Sequence, residues 1–314
     1  MGSLGRSRIG RTKLYVTRLG LGCYELSLSA TQAQAEETLR AAVQQGVNYI
    51  DTAPLYGFGL SEERLGKALC LHDREKLVIS TKVGVILDPS RGKGSESMVR
   101  DYSRGAVLRS WESSLSRLGV DAVDILFIHD PDNHYEQAIG EAYPTLAELR
   151  DDDVIKAIGV GMNQWEMELH FAEEGDFDCF MLAGRYTLLE QGALPEFLPY
   201  CREKNISVII AGPYNSGVLA DPEKGTYNYI EAPPGVVAKA LQIKKVCDRH
   251  GVPLKAAALQ FPLGHPAVSS VVPGTRSPSH QEENLRMISH SIHDSLWDEL
   301  KEEGLLDQEA PTPS

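Results

Sequence analysis

Cysteine is scarce in this sequence and widely scattered. The five present are Cys23, Cys70, Cys179, Cys201 and Cys247, with no Cys-x-x-Cys among them. An odd number without close spacing fits a reducing compartment better than a disulfide framework, so all five read as buried thiols. Long apolar runs are missing too. Segments such as AVDILFI and SVIIAGP have strand length, well short of the roughly 20 residues that a spanning helix needs. The opening MGSLGRSRIGRTKLYV has no apolar signal-peptide core, and Arg6 stands where a myristoylation signal needs Ser or Thr. A cytoplasmic protein with no membrane partner is expected. Positive charge is also short, with 31 Lys plus Arg against 44 Asp plus Glu and a net formal charge of -13. That balance disfavours a sequence-independent grip on nucleic-acid phosphates. A small-molecule partner is expected, and the oligomeric state is left open.

What the sequence does contain is a regular alternation. Apolar, β-branched runs recur as LGLGC, VNYID, LVISTK, VDILFIHD, KAIGVG, DCFMLAG, SVIIAG and VSSVVPG, eight candidate strands. Runs apolar at almost every position suit a sheet buried on both faces. Helical periodicity fills most of the gaps. One helix runs from a Thr31 N-cap through Leu39 and Val43 to Gly46. Ser61 is read as opening SEERLGKAL. Ser103 opens a helix whose Val107, Leu108, Trp111, Leu115 and Leu118 share one face. Further helices are expected over 138–149, 165–174, 195–204, 236–250, 254–261 and 278–287. The pattern predicts an α/β protein, a single-domain eightfold (β/α) TIM barrel over 1–314, with a doubly wound open sheet as rival. Residues 214–234 read as a long functional loop after the seventh strand, and 291–314 as a C-terminal helix with a frayed tail.

Barrel enzymes place their chemistry at the C-terminal ends of strands. Here VNYI ends in Asp51, LVIST in Lys82, VDILFI in His129 and KAIGVGM in Asn163. Each alone is an ordinary turn former or solvated strand end. Together they would line one mouth, where an ionised Lys82 needs a partner and Asp51 is the obvious one. Tyr56 follows in TAPLYGFG, and a phenol beside an ammonium is expected to lose its proton more readily than the usual value of about 10 allows. His129 is then placed to donate a hydrogen bond to a substrate oxygen. Other chemistries fit poorly. There is no Gly-x-Ser-x-Gly elbow, and Cys23 has no evident base. No cluster completes a metal site around His129 and His134. Gly20-x-Gly22 and Gly159-x-Gly161 lack the third glycine of a dinucleotide fingerprint and read as close-packing sites.

In this order and context Asp51, Tyr56, Lys82 and His129 resemble the catalytic tetrad of the aldo-keto reductase superfamily. The likeness extends from residue 18 to 284, through LGLGCYEL, GVNYIDTAPLYGFGLSEERLGKAL, STKVG, IGVGMNQ and VVPGTRSPSHQEENL. LFIHDPD, FMLAGRYTLLEQ and LQFPLGHPAVSSVVPG are most similar to the aldose 1-dehydrogenase branch, the D-threo-aldose or L-fucose and L-galactose dehydrogenases.

The resemblance implies NAD(P)H laid across the barrel mouth and hydride passing between nicotinamide C4 and a substrate carbon. It assigns Gly22, Asp51, Met162 and Asn163 to the cofactor, Met162 and Asn163 at the carboxamide. Pro213, Tyr214, Ser216, Gly217 and Leu219 would cover the pyrophosphate. Gly274, Thr275, Arg276, His280, Glu283 and Asn284 would hold the adenosine end. Ala183 and Ala211 stand where many relatives carry Gln and an aromatic residue. Gly274 and His280 replace a Lys and an Arg of NADP-selective relatives, so NAD is preferred over NADP, with Arg276 keeping the question open. Substrate candidates are Tyr24, Tyr56, His129 and Asp130, with His134 and the loop around Val85 as further hydroxyl partners. The expected reaction is oxidation of an aldose at C1 to the lactone. The alternatives are NADPH-dependent reduction of an aldehyde or ketone, or a cofactor-binding sensor or accessory subunit.

Overall fold

All eight apolar runs form strands of one parallel sheet in the computed structural model, which describes residues 4–28, 30–92 and 94–313. They are β1 (Leu21–Gly22), β2 (Tyr49–Asp51), β3 (Val78–Val83), β4 (Ile125–His129), β5 (Ala157–Met162), β6 (Cys179–Ala183), β7 (Ser207–Ala211) and β8 (Val268–Val272). Each pairs with its sequence neighbours. The sheet closes through parallel bridges from Leu19 to Val271 and Gly22 to Gly274. The rival open sheet is therefore excluded, and the architecture is a single-domain (β/α)₈ barrel. Register then decides which side chains meet. Asp51 lies opposite Ser80, Lys82 opposite Phe127, and His129 opposite Gly161. All three functional side chains emerge at the same C-terminal end.

The helices wrap the outside: α1 (Gln32–Gln44), α2 (Leu60–Leu69), α3 (Arg104–Leu118), α4 (Tyr143–Asp151), α5 (Trp165–Glu174), α6 (Phe197–Lys204), α7 (Pro234–Arg249), α8 (Leu254–Gln260), α9 (Pro278–Ile288) and α10 (Asp294–Glu302). Thr31 caps α1 in a capping box, its hydroxyl accepting from Gln34 N while Gln34 Oε1 accepts from Thr31 N. The turn expected to begin a helix at residue 138 is instead a π-helical stretch, Ala138–Ala142, between a short turn at Tyr135–Gln137 and α4. Among the described residues no helix is long and apolar enough to cross a membrane.

Several local expectations are corrected. Helix α2 is capped by Gly59, whose left-handed φ of 88° suits glycine, and not by Ser61. Ser61 is buried inside the first turn, where its hydroxyl donates to the Cys23 carbonyl at 2.9 Å. Its neighbour Glu62 is equally buried, held by the Thr81 hydroxyl at 2.6 Å and by Arg117 Nε at 2.7 Å. Cys70, read as a buried thiol, is exposed at the end of α2, while the other four cysteines are buried. The tail beyond α10 packs and does not fray. Leu305, Leu306 and Ala310 are buried, and Pro311 to Pro313 lie so close to Gly264 that no Cβ would fit there. Three short hairpins were not legible in the sequence: Arg6–Arg8 with Tyr15–Thr17, Val85–Leu87 with Met98–Arg100, and Thr226–Tyr227 with Ile230–Glu231. The first brings Ile9 and Val16 into the cluster that fills the barrel interior with Ile125, Phe127 and Met181.

Interior packing leaves no room at Gly159. A Cβ there would stand 2.3 Å from the Cys179 carbonyl oxygen and 2.7 Å from the Phe127 ring. Gly159→Ala is accordingly expected to lower stability by about 3 kcal/mol through overpacking. A urea unfolding curve would test this, and an unchanged midpoint would contradict it.

Candidate active site

A cavity of about 690 Å³ opens at the C-terminal end of the barrel. Its floor carries the buried pair Asp51 and Lys82, exposed by only 3% and 2%. Lys82 Nζ donates to Asp51 Oδ1 at 2.8 Å, to Oδ2 at 2.7 Å and to the Thr52 carbonyl at 2.9 Å. The Ser80 hydroxyl donates to Asp51 Oδ1 at 2.7 Å. These bonds satisfy the ammonium and most of the carboxylate, which is what lets both charges stay out of water.

Above the pair lies Tyr56, with Lys82 Nζ 4.8 Å from its ring centroid. The His129 ring stands edge-on to Tyr56 at 5.9 Å and 84°. Electrostatics at the phenol run opposite to the expectation from sequence. Burial first, then the Asp51 carboxylate, push Tyr56 well above the usual phenol range. The neighbouring Lys82 ammonium does not reverse this shift, because burial and the carboxylate dominate. His129 moves the other way, held well below the usual imidazole range by burial, Lys82 and Arg100. At neutral pH the cavity floor therefore presents a protonated phenol and a neutral imidazole. His129 Nδ1 is buried without a partner among the described residues, while Nε2 lies 3.8 Å from Asp130 Oδ2.

The other expected residues divide into those that face the cavity and those behind it. Gly22, Tyr24, Asp130, Met162 and Asn163 line the cavity. Tyr24 packs edge-on to Tyr56 at 5.2 Å and 79°. Asp130 adopts a left-handed φ of 44°, its carbonyl accepting from the Tyr102 hydroxyl at 2.8 Å and from Arg100 at 2.9 Å. Burial raises its carboxyl above the usual range. Tyr214, Ser216, Gly217, Gly274, Arg276, His280, Glu283 and Asn284 line the cavity as well. Pro213, Leu219 and Thr275 do not line it. Leu219 and Thr275 are fully buried, Thr275 bracing the wall by accepting from Asn284 Nδ2 at 3.3 Å. Nor are His134 and Val85 brought to the cavity; His134 stacks on Tyr102 at 5.3 Å and Val85 is buried. Cys23 is inert, its thiol raised by burial and by Asp51.

Sequence reasoning missed Asn215, Lys255 and Tyr229, all of which line the cavity. Asn215 has a left-handed φ of 47°, a position Asn tolerates well, and that was its one legible signal. Lys255 comes from the small-residue helix α8 and pairs with Glu283 at 2.9 Å.

The donor set fits an extended nicotinamide dinucleotide. Ala183 and Ala211 keep the strand ends β6 and β7 short. Asn163 Nδ2 donates to the Ala183 carbonyl at 2.8 Å, which fixes the amide and leaves its oxygen as an acceptor. Asn215 Oδ1 is buried with no donor among the described residues. At the far end the Ser277-capped N-terminus of α9 and the Arg276 guanidinium offer anion contacts. Among the described residues no group of three or more His, Cys, Asp or Glu gathers to hold a metal.

The ion pair is the most demanding feature of the site. Lys82→Met would strand the buried Asp51 charge, at a cost of about 3–5 kcal/mol. The double change Lys82→Met with Asp51→Asn should recover most of that loss, and denaturant midpoints for the wild type and both variants would decide the matter.

Comparison with known proteins agrees with this geometry. The profile of the Aldo/keto reductase family matches residues 18–303. The pyridoxal 4-dehydrogenase of Microbacterium luteolum is 39% identical, covering 95% of this chain and 97% of its own. The D-threo-aldose 1-dehydrogenase of a Pseudomonas species is 36% identical, covering 96% of each. An aldo-keto reductase from Bacillus halodurans shares the fold, with a TM-score of 0.80 over 95% of this chain and 96% of that one, at 23% identity. The chain belongs to the aldo/keto reductase family and is a nicotinamide-dependent oxidoreductase.

Proposed function

We propose that the protein oxidises a cyclic hemiacetal, the ring form of an aldose, at its anomeric carbon to the lactone, with NAD as the preferred cofactor. The observation that carries the proton chemistry of this reading, in either direction, is the pair on the cavity floor: the Tyr56 phenol and the His129 imidazole beside the Lys82–Asp51 pair. Two relatives support the substrate class, one named for pyridoxal and one for D-threo-aldoses. Both kinds of molecule join an aldehyde to a hydroxyl that closes on it as a ring. NAD is favoured because Gly274 and His280 add no fixed cation at the outer end and Lys255 is already engaged by Glu283.

A bound nicotinamide, held at Asn163, would supply the acceptor for the hydride of the anomeric C–H. The chain's own residues manage the proton. Tyr56, in its ionised form, takes the proton of the anomeric hydroxyl as the C=O bond forms. His129 Nε2–H donates to the same oxygen and orients it. Asp130 accepts from a neighbouring ring hydroxyl. In the reverse direction Tyr56 returns the proton, so the raised phenol favours reduction of an open-chain carbonyl at neutral pH, the second reading.

The first test is nucleotide absorbance with L-fucose, L-galactose, D-arabinose and a simple aldehyde against both oxidised and both reduced nucleotides. Aldose-dependent reduction of NAD is expected; consumption of NADPH with the aldehyde alone would replace this reading with the second. Tyr56→Phe should lower kcat about a thousandfold, within the range of general acid–base catalysis, while nucleotide Kd stays near the wild-type value. Retained turnover would remove Tyr56 as the proton carrier. Because burial raises the phenol, oxidation should speed up with rising pH toward the alkaline range, while reduction holds level through neutrality and declines only as the phenol ionises. A flat oxidation profile would contradict that assignment.

A further inference from the structure

Tyr229 has no part in the proton chemistry, yet its position is unusual. It follows Asn228 at the tip of the hairpin Thr226–Tyr227 with Ile230–Glu231, and both tip residues are left-handed, at φ 50° and 65°. Two such residues make a type I′ turn, which favours Asn first and Gly second. A tyrosine in the second place keeps a Cβ clash that glycine would avoid. Core packing does not explain its presence, since the residue is 70% exposed. Strain retained at the rim of a cavity is a reason to ask where the side chain goes.

The ring goes to the mouth of the active site. Its centroid is 5.8 Å from that of Tyr24 at 62°, and Tyr24 in turn packs on Tyr56. From rim to floor, Tyr229, Tyr24, Tyr56 and His129 form one succession of edge-to-face rings. The hairpin is tied down on three sides. Tyr229 N donates to Ser216 Oγ at 3.3 Å, Arg185 donates to Asn228 Oδ1 at 3.1 Å, and the Tyr227 hydroxyl bonds Glu190. The Tyr229 ring is therefore held in place while its outer side remains free.

We infer that Tyr229 is a specificity-determining residue, which with Tyr24 forms an outer aromatic wall against the C–H face of a ring-closed hemiacetal. This rests on the substrate class proposed above. The C–H face of such a ring is weakly positive and apolar, so it suits an aromatic face, whereas a short open-chain aldehyde is too small to reach from the floor to the rim. The hairpin thus selects for ring substrates without contributing to proton transfer.

The test uses Tyr229→Gly and Tyr229→Phe, with whichever of L-fucose, L-galactose and D-arabinose the wild type oxidises best, and butanal as the open-chain control. For Tyr229→Gly the sugar KM should rise roughly five- to tenfold, the size of one aromatic contact, with kcat, nucleotide Kd and the KM for butanal unchanged. Its Tm should match or exceed the wild type, because glycine relieves the turn. Tyr229→Phe should keep the wild-type KM, since it retains the ring face. An unchanged sugar KM in Tyr229→Gly overturns the wall. So does a lowered Tm with all kinetic constants shifting together, which would mark a merely structural residue. A wild type that oxidises none of the ring sugars with either nucleotide takes down both the wall and the reading on which it rests.

Discussion

Taking a lysine and an aspartate out of water at the end of a barrel is costly unless each is fully met by partners. Asp51 and Lys82 succeed because neighbouring strands deliver what they need: Ser80 from β3, directly opposite Asp51, and the Thr52 carbonyl just beyond β2. The parallel register is thus a requirement of the charges as much as of the backbone, and a one-residue slip would turn Lys82 to the other face of the sheet. Everything at the mouth is tuned by this pair. The ammonium helps hold His129 neutral, and the carboxylate helps hold Tyr56 protonated. The resting site is consequently a pair of neutral hydrogen-bonding groups over a compensated ion pair. That arrangement can pass a proton either way with little reorganisation of the surrounding protein.

Much of this was legible from sequence for one reason. In a barrel, strand ends are geometrically equivalent, so polar residues terminating successive apolar runs must converge. Asp51, Lys82 and His129 could therefore be placed together without any knowledge of distance. The phenol's direction of shift was not legible. Sequence shows that Lys82 is near Tyr56, but not that the Asp51 carboxylate and burial dominate the shift, or that surrounding protein removes the solvent a phenolate would need. Ser61 and Glu62 failed for a related reason. A serine followed by acids looks like a solvated helix start, but α2 begins one turn inside the protein, where those groups bond Cys23, Thr81 and Arg117. The tail misled likewise: its proline-rich composition looks mobile, yet a glycine elsewhere in the chain, Gly264, makes room for it.

Loops were the least readable part, because their conformation is set by contacts distant in sequence. The hairpin carrying Tyr229 is anchored by Arg185 and Glu190, some 40 residues earlier in the chain. Lys255 meets Glu283 across two helices. Neither pairing leaves a periodic trace. The same separation divides the labour of the site. Asp51, Lys82 and His129 sit on strands fixed by the sheet, where a displacement would break backbone ladders, and Tyr56 sits on the turn just after β2. Tyr214, Ser216 and Tyr229, which line the cavity, sit instead on loops fixed by a few side-chain bonds. The lining of the cavity can then vary at a turn residue while the ion pair, the phenol and the imidazole remain in place.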